Sequence, residues 1–269
     1  MKDKVVIITG GSSGIGKACA RVFGDKGARI VITGRNEVNL QETCGELSAH
    51  GIEVLYVVAD VSLQEDNYRV VDETIRNFGR IDVLINNAGI SMRALFKDMD
   101  VDVLEKVMDI NFYGTVYATK AALPYIIQAK GSIVGVSSIA GYRGLPARTG
   151  YSASKFAMQG FLEALRTELL KDQVHVLVAC PGFTSSNIRN TALSKDGTAQ
   201  GESPLNEGRI MSAEMVAEEI YKATIKRKRD LILTSQGKMT VLLNKWFPGL
   251  MDSIVYNHMA KEKDSPLAR

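Results

Sequence analysis

"KVVIITGGSSGIGKA" (residues 4–18) joins an unbroken apolar run to a glycine-rich turn and then to a helical pattern. Val5 to Ile8 are apolar at every position rather than at alternate ones, which marks a strand buried on both faces and hence a parallel sheet covered by helices. The turn carries Gly10, Gly14 and Gly16, a G-x-x-x-G-x-G spacing in place of the more familiar G-x-G-x-x-G. Glycines there permit a tight turn with no Cβ in the way, and the helix that follows offers free N–H groups to a pyrophosphate. Ser12 and Ser13 can add hydroxyl donors. A plain glycine-rich turn is the competing reading; placement between a first strand and a first helix favours the phosphate cradle.

The same grammar repeats outward along the chain. Short β-branched runs fall at 29–34, 52–60, 81–86, 131–138, 174–180 and 230–234. Between them lie helix-length stretches such as 14–26, 36–49, 62–78, 101–129 and 150–171. Seven apolar strands with helical crossovers predict an α/β fold, a doubly wound parallel seven-stranded sheet of the Rossmann type in a single domain. The catalytic unit is expected to span 1–235, with the Gly/Ser/Thr-rich segment at about 183–210 as a mobile substrate lid. Residues 236–269 are expected to form an apolar C-terminal helical extension of the same domain.

Composition narrows the partners. With 33 Lys+Arg against 30 Asp+Glu, the net charge of +3 is too small to argue for nucleic acid. Three widely spaced cysteines, Cys19, Cys44 and Cys180, suggest neither a disulfide framework nor a metal site and fit a reducing, cytoplasmic setting. No signal-peptide pattern precedes the first strand, and no run of apolar residues reaches spanning length.

Where a second strand ends, an NAD-binding fold would carry an acid for the ribose hydroxyls. Here Gly34 is followed by Arg35, a guanidinium that can pair with a 2′-phosphate, so NADP(H) is expected in preference to NAD(H). A solvated turn arginine is the plain alternative. Sites in open parallel sheets form beyond the carboxyl ends of the strands. Three polar clusters stand at such ends: "NNAG" (86–89), "VSSIAG" (136–141) and "CPGFT" (180–184).

Taken with Asp60–Val61, Asn111, Ser138, "YSASK" (151–155) and Pro181–Gly182, these clusters occur in the order seen in the short-chain dehydrogenase/reductase family, which the chain resembles from about Lys4 to Thr184. The resemblance implies a nicotinamide dinucleotide and reversible carbonyl/alcohol conversion. It places the catalytic tyrosine on Tyr151, the lysine on Lys155, the asparagine on Asn111 and the serine on Ser138, thirteen residues before the tyrosine. Its cofactor positions fall on Gly10, Gly14, Ile15, Gly16, Asp60, Val61, Asn87, Ala88 and Gly89, with Pro181, Gly182, Phe183 and Thr184 beside the nicotinamide. It further implies that Asn111 holds a water connecting Lys155 to solvent, with a buried asparagine pinning a helix kink as the plain alternative, and that the assembly is a homodimer or homotetramer built on the helices at 101–129 and 150–171. Asp60 is read as bonding the adenine, with an ordinary strand-end aspartate as the competing reading.

Physical chemistry supports the tyrosine–lysine pair independently. A new alkoxide needs a positioned acid, and a phenol of pKa about 10 is a poor base near neutrality in the reverse direction. Residues i and i+4 share a helix face, so Lys155 is expected to hold its charge beside the Tyr151 oxygen. At roughly 5 Å and an effective dielectric of about 20, the attraction is on the order of 3 kcal/mol, lowering the phenol by about two pKa units. Ser138 would bond the oxygen where charge develops. The small residues Ser152, Ala153 and Ser154 are expected to leave room for the nicotinamide ribose.

Ser91, Met92, Arg93 and the loop 142–148 are expected to wall the pocket, while Cys180 and His175 read as core residues without chemistry. The stretch "GKMTVLLNKWFPGLMDSIVYNHM" (237–259) follows a basic run at 226–229. It is expected to cover the substrate cleft or a subunit partner, with an interfacial helix on lipid headgroups as the alternative. Its loose similarity to hydroxysteroid-dehydrogenase-like and ketosphinganine-reductase-like branches implies a bulky, lipophilic substrate. A dinucleotide-sensing scaffold of the same fold is the competing function, although such a protein has no need of the tyrosine and lysine. A nucleotide-sugar epimerase or dehydratase would need a larger C-terminal domain than 269 residues leave room for.

Overall fold

A computed structural model describes residues 1–182, 184, 188–201 and 211–268. Seven strands form one sheet: β1 (Val5–Thr9), β2 (Arg29–Gly34), β3 (Val54–Val58), β4 (Val83–Asn86), β5 (Ser132–Val136), β6 (His175–Cys180) and β7 (Asp230–Ile232). All neighbours pair in parallel, in the order β3-β2-β1-β4-β5-β6-β7. Every residue of β1, β4, β5 and β6 is buried, as the unbroken apolar runs require. The sheet is therefore the doubly wound one expected, and the chain changes direction of winding between β1 and β4. At such a switch point the crossovers leave in opposite directions and open a crevice above the strand ends.

Helices α1 (Gly14–Asp25), α2 (Glu37–Ala49), α3 (Gln64–Phe78), α4 (Val101–Met108), α5 (Gly114–Ala129), α6 (Thr149–Glu168) and α7 (Ala213–Ile225) cover the faces. Two apolar layers result, one on each side of the sheet. Phe23, Leu40, Val216 and Ile220 lie in one, and Ala122, Ile126, Met158 and Leu162 in the other. Asp82 pins the base of the switch point: its carboxylate accepts from the Val5 amide, Lys4 and Arg80.

Three departures from the sequence reading have local causes. The single helix expected over 101–129 is broken by a π turn at Asp109–Tyr113, which places Asn111 at its centre. Strand β3 is shorter than the run at 52–60, because Ile52 turns off to pack under α1, where a Cβ on Gly24 would lie 2.5 Å from its side chain. The sequence reading assigns no element to the α7 stretch, whose helical spacing is hidden among charged residues.

Beyond β7, α8 (Ser235–Trp246) and α9 (Pro248–Ala260) form a hairpin with Pro248 at the start of the second helix. Met251, Val255 and Met259 turn inward against Leu145, Leu243 and Leu267. Arg143 fixes the hairpin to the loop after β5 by bonds to Asn244 and Asp252. The basic run lies elsewhere. Lys228 and Arg229 bond His175 and Val178 at the amino end of β7, whereas the hairpin follows its carboxyl end.

Candidate active site

The loops after β1 and β4 meet at the switch point. Gly10 has φ of +65°, and a Cβ there would stand 3.0 Å from the Cα of Ala88. Gly16 is tighter still: a Cβ would meet the Gly10 carbonyl oxygen at 2.2 Å. Only glycine admits that approach of helix to turn. Asn87 closes the junction by donating Nδ2 to the carbonyls of Thr9 and Gly10. The Thr9 hydroxyl accepts from the amides of both Asn87 and Ala88. Thr9 is thus a structural member of the site that sequence reasoning passed over, although it opens the glycine motif.

This cradle suits a dinucleotide. Helix α1 begins with Ser13 at its N-cap, exposed, with no side-chain capping bond and no acid in the first turn, so its amides face outward without competition. The Ser12 side chain lies beside Gly34, and Ile15 packs half-buried on the core. Beyond the ends of β2 and β3, Asp60 accepts from the Ser62 amide and hydroxyl, and Arg35 reaches within 3.8 Å of its other oxygen. Val61 is buried and packs where Gly114 lacks a Cβ. After β6 and Pro181, Gly182 borders Thr234, and the Thr184 hydroxyl donates to the Gly182 carbonyl. Phe183 lies outside the described residues, as do 185–187 and 202–210 of the expected lid. Its described part at 188–201 is stitched beside the loop after β4, through Leu193 to Ser91 and Arg93 to Leu193.

Helix α6 carries Tyr151 and Lys155 one turn apart, with the Lys155 Nζ 5.7 Å from the centre of the tyrosine ring. The ammonium is buried and donates to the Val136 carbonyl at 3.0 Å. Ser138 caps the short turn after β5, accepting from the Ala140 amide, and its hydroxyl lies close enough to the phenol to oppose its upward shift. The electrostatics differ from the sequence expectation. Burial pushes the Tyr151 phenol up, opposed first by the Ser138 hydroxyl and then by Arg148 and Arg189. Burial also pulls Lys155 down to about 8. Desolvation thus dominates at both groups, and the cations that act on the phenol are Arg148 and Arg189.

Asn111 is fully buried and clamps rather than points. Its Nδ2 donates to the Ile90 carbonyl and to Ser154 Oγ, while its Oδ1 accepts from the Ile90 amide. The Oδ1 atom and the Lys155 ammonium both border the spot that Gly89 leaves without a Cβ, at 3.1 and 3.5 Å. Ser152 and Ser154 are buried and bonded inward, to the Leu145 amide and to Asn111, so their small size also serves helix packing.

Two further contacts had no sequence signal. Gln159, one turn beyond Lys155, donates to Ser137 Oγ at 2.9 Å and also reaches the Ser138 carbonyl and Cys180. Glu262 of the C-terminal segment is buried between Arg148 and Arg93, tying the tail to the start of α6 and to the loop after β4. The pocket walls expected at Ser91 and Met92 are buried. Met92 belongs with Met99, Val103, Val107 and Leu193 to an apolar cluster into which Tyr151 packs.

The comparisons with known proteins agree with this geometry. The family described as short chain dehydrogenase matches residues 4–197. Mouse (Mus musculus) dehydrogenase/reductase SDR family member 7B is 39 % identical over 271 residues, covering 98 % of this chain and 84 % of the mouse protein. The 11-beta-hydroxysteroid dehydrogenase 1A of Arabidopsis thaliana is 36 % identical over 260 residues, 93 % of this chain and 73 % of the plant protein. A short chain dehydrogenase/reductase from Burkholderia phymatum, solved in complex with NAD, superposes with a TM-score of 0.83 at 24 % identity, over 93 % of this chain and 95 % of that one. A parallel sheet with its glycine cradle at the switch point, a tyrosine and lysine one turn apart beside it, and relatives matched over nearly the whole chain lead to one conclusion: the protein belongs to the short-chain dehydrogenase family.

Proposed function

We propose that the protein interconverts a carbonyl and a secondary alcohol on a bulky, lipophilic substrate, using NADP(H). Oxidoreduction between alcohol and carbonyl is the chemistry of its family. The observation that carries the reading is the convergence of Tyr151, Ser138 and Lys155 above the end of β5, next to the cradle of Gly10, Asn87 and Ala88. The bound nicotinamide supplies or accepts the hydride. Tyr151, held protonated by burial, donates to the oxygen of the newly reduced carbon, and Ser138 donates a hydrogen bond to that oxygen. Lys155, with its pKa near 8, can refill the phenol with a proton at ordinary pH. Ile90 and Leu104, partly buried with Tyr151 on an apolar cluster, suit an apolar substrate body.

Consumption of NADPH against a panel of ketones of increasing apolar size tests the reading. A protein that binds the dinucleotide and turns over none of them is a sensor, and the proposal fails.

For the cofactor preference, Arg35 is the group to change. Its side chain is exposed and faces only the distant Asp60 carboxylate, so a 2′-phosphate can take it over. Arg35→Ala should weaken NADPH about ten- to a hundredfold, the loss of one charge-assisted contact, while leaving NADH affinity unchanged. Equal affinities for the two dinucleotides in the unaltered protein would overturn this assignment.

Tyr113 and Phe156, 44 % and 46 % exposed next to α5 and on α6, favour a homodimer or homotetramer built on those helices.

A further inference from the structure

The α8–α9 hairpin carries an apolar surface for which the fold has no use. Met239, Leu242, Trp246, Phe247, Leu250 and Ile254 are between 45 % and 67 % exposed. Their spacing explains this. On α8, residues 239, 242 and 246 follow one another at helical intervals; on α9, so do 247, 250 and 254. The inward stripe of α9 is a different one, Met251, Val255 and Met259, already satisfied by Leu145, Leu243 and Leu267. A second apolar stripe left in water costs free energy with no structural return, and contiguous patches of this kind mark interaction sites.

We infer that this outer face of the hairpin docks on the surface of a lipid bilayer. Three features select lipid as the occupant. The corner between the helices projects an indole and a phenyl side by side, the amphipathic pairing that settles at headgroup depth. Lys245 lies over the Trp246 ring, 6.0 Å from its centre, and Lys238 is exposed on the same helix. The only acid of the hairpin, Asp252, is paired with Arg143, so Lys238 and Lys245 leave the hairpin net positive toward anionic headgroups. No helix among the described residues is long and apolar enough to cross a membrane, so the contact is shallow. The basic run at 226–229, at the amino end of β7, takes no part.

Arg143 gives the docking a fixed orientation. It ties the hairpin to the loop that follows Ser138, and the Leu145 amide of that loop bonds Ser152 on α6. The bilayer then lies on the side of the molecule where that loop and α6 meet.

Trp246 is the sole tryptophan of the chain, so its emission reports on this face alone. Full-length protein is titrated with vesicles of phosphatidylcholine and of equimolar phosphatidylcholine and phosphatidylglycerol, with and without brominated acyl chains. The expected result is a blue shift, quenching by the brominated lipid, and tighter partitioning on the anionic vesicles. Leu242→Ser and Leu250→Ser, both at exposed positions and so without risk to folding, should each weaken partitioning about tenfold while leaving the probe in place. Unchanged emission on every vesicle overturns the inference. So does a blue shift that appears in buffer alone and grows with protein concentration, which would make a second copy of the chain the occupant.

Discussion

Tyr151→Phe is expected to lower turnover by between about 10²- and 10⁴-fold, the span for removing a positioned general acid. Dinucleotide affinity and stability should stay close to those of the unaltered protein, because the phenyl ring keeps its place among Ile90, Met92 and Leu104. Ser138 retains the Ala140 amide. The pH dependence separates this role from a structural one. With the phenol raised by burial, Tyr151 carries its proton throughout the neutral range. Carbonyl reduction should therefore be flat with pH there, while alcohol oxidation, which needs the phenolate, should climb as pH rises. Substrate turnover in both directions across neutral and alkaline pH checks this. Near-normal turnover by the phenylalanine variant would mean that a different group moves the proton.

The order of elements was legible in the sequence because strands buried on both faces leave short unbroken apolar runs such as Val5–Ile8, bounded by turn residues and separated by helix-length stretches. Glycine positions were legible for a related reason: steric exclusion of a Cβ at Gly10 and Gly16 is a property of one residue type. What stayed hidden depends on contacts distant in sequence. Thr9 and Gln159 act through single hydroxyl and amide groups whose partners are fixed only once β4 and β6 come alongside. Glu262 is a charge in a charged tail until Arg93 and Arg148 enclose it. The sign of the tyrosine and lysine perturbations was missed because helix spacing predicts proximity and says nothing of solvent. Coulomb attraction at one turn was foreseeable; the loss of water around both groups was not.

That loss of water leads to an expected result of opposite sign in stability and activity. Lys155→Met should make the protein more stable near neutral pH and nearly inactive. The ammonium is 3 % exposed, and among the described residues its partner is a carbonyl rather than a carboxylate. Its pKa falls from 10.5 to about 8 in the folded protein. Between those values the unfolded chain binds a proton that the folded one has released, so stability rises with pH through the window. Below about 8 the full cost of burying the charge is present, on the order of 3 kcal/mol. Methionine fills the same slot without it, at the loss of about 1 kcal/mol for the bond to the Val136 carbonyl. The net gain is roughly 2 kcal/mol near neutrality, shrinking as pH rises and reversing by 10.5. Activity should fall about 10²- to 10³-fold, since neither the positive charge nor the proton near the phenol survives. Denaturant unfolding of both proteins at neutral and alkaline pH, beside turnover, reads all of this. A methionine variant equally destabilised at both pH values would show that the lysine is held by its hydrogen bond and carries no burial cost, leaving it no reason to deliver a proton to Tyr151.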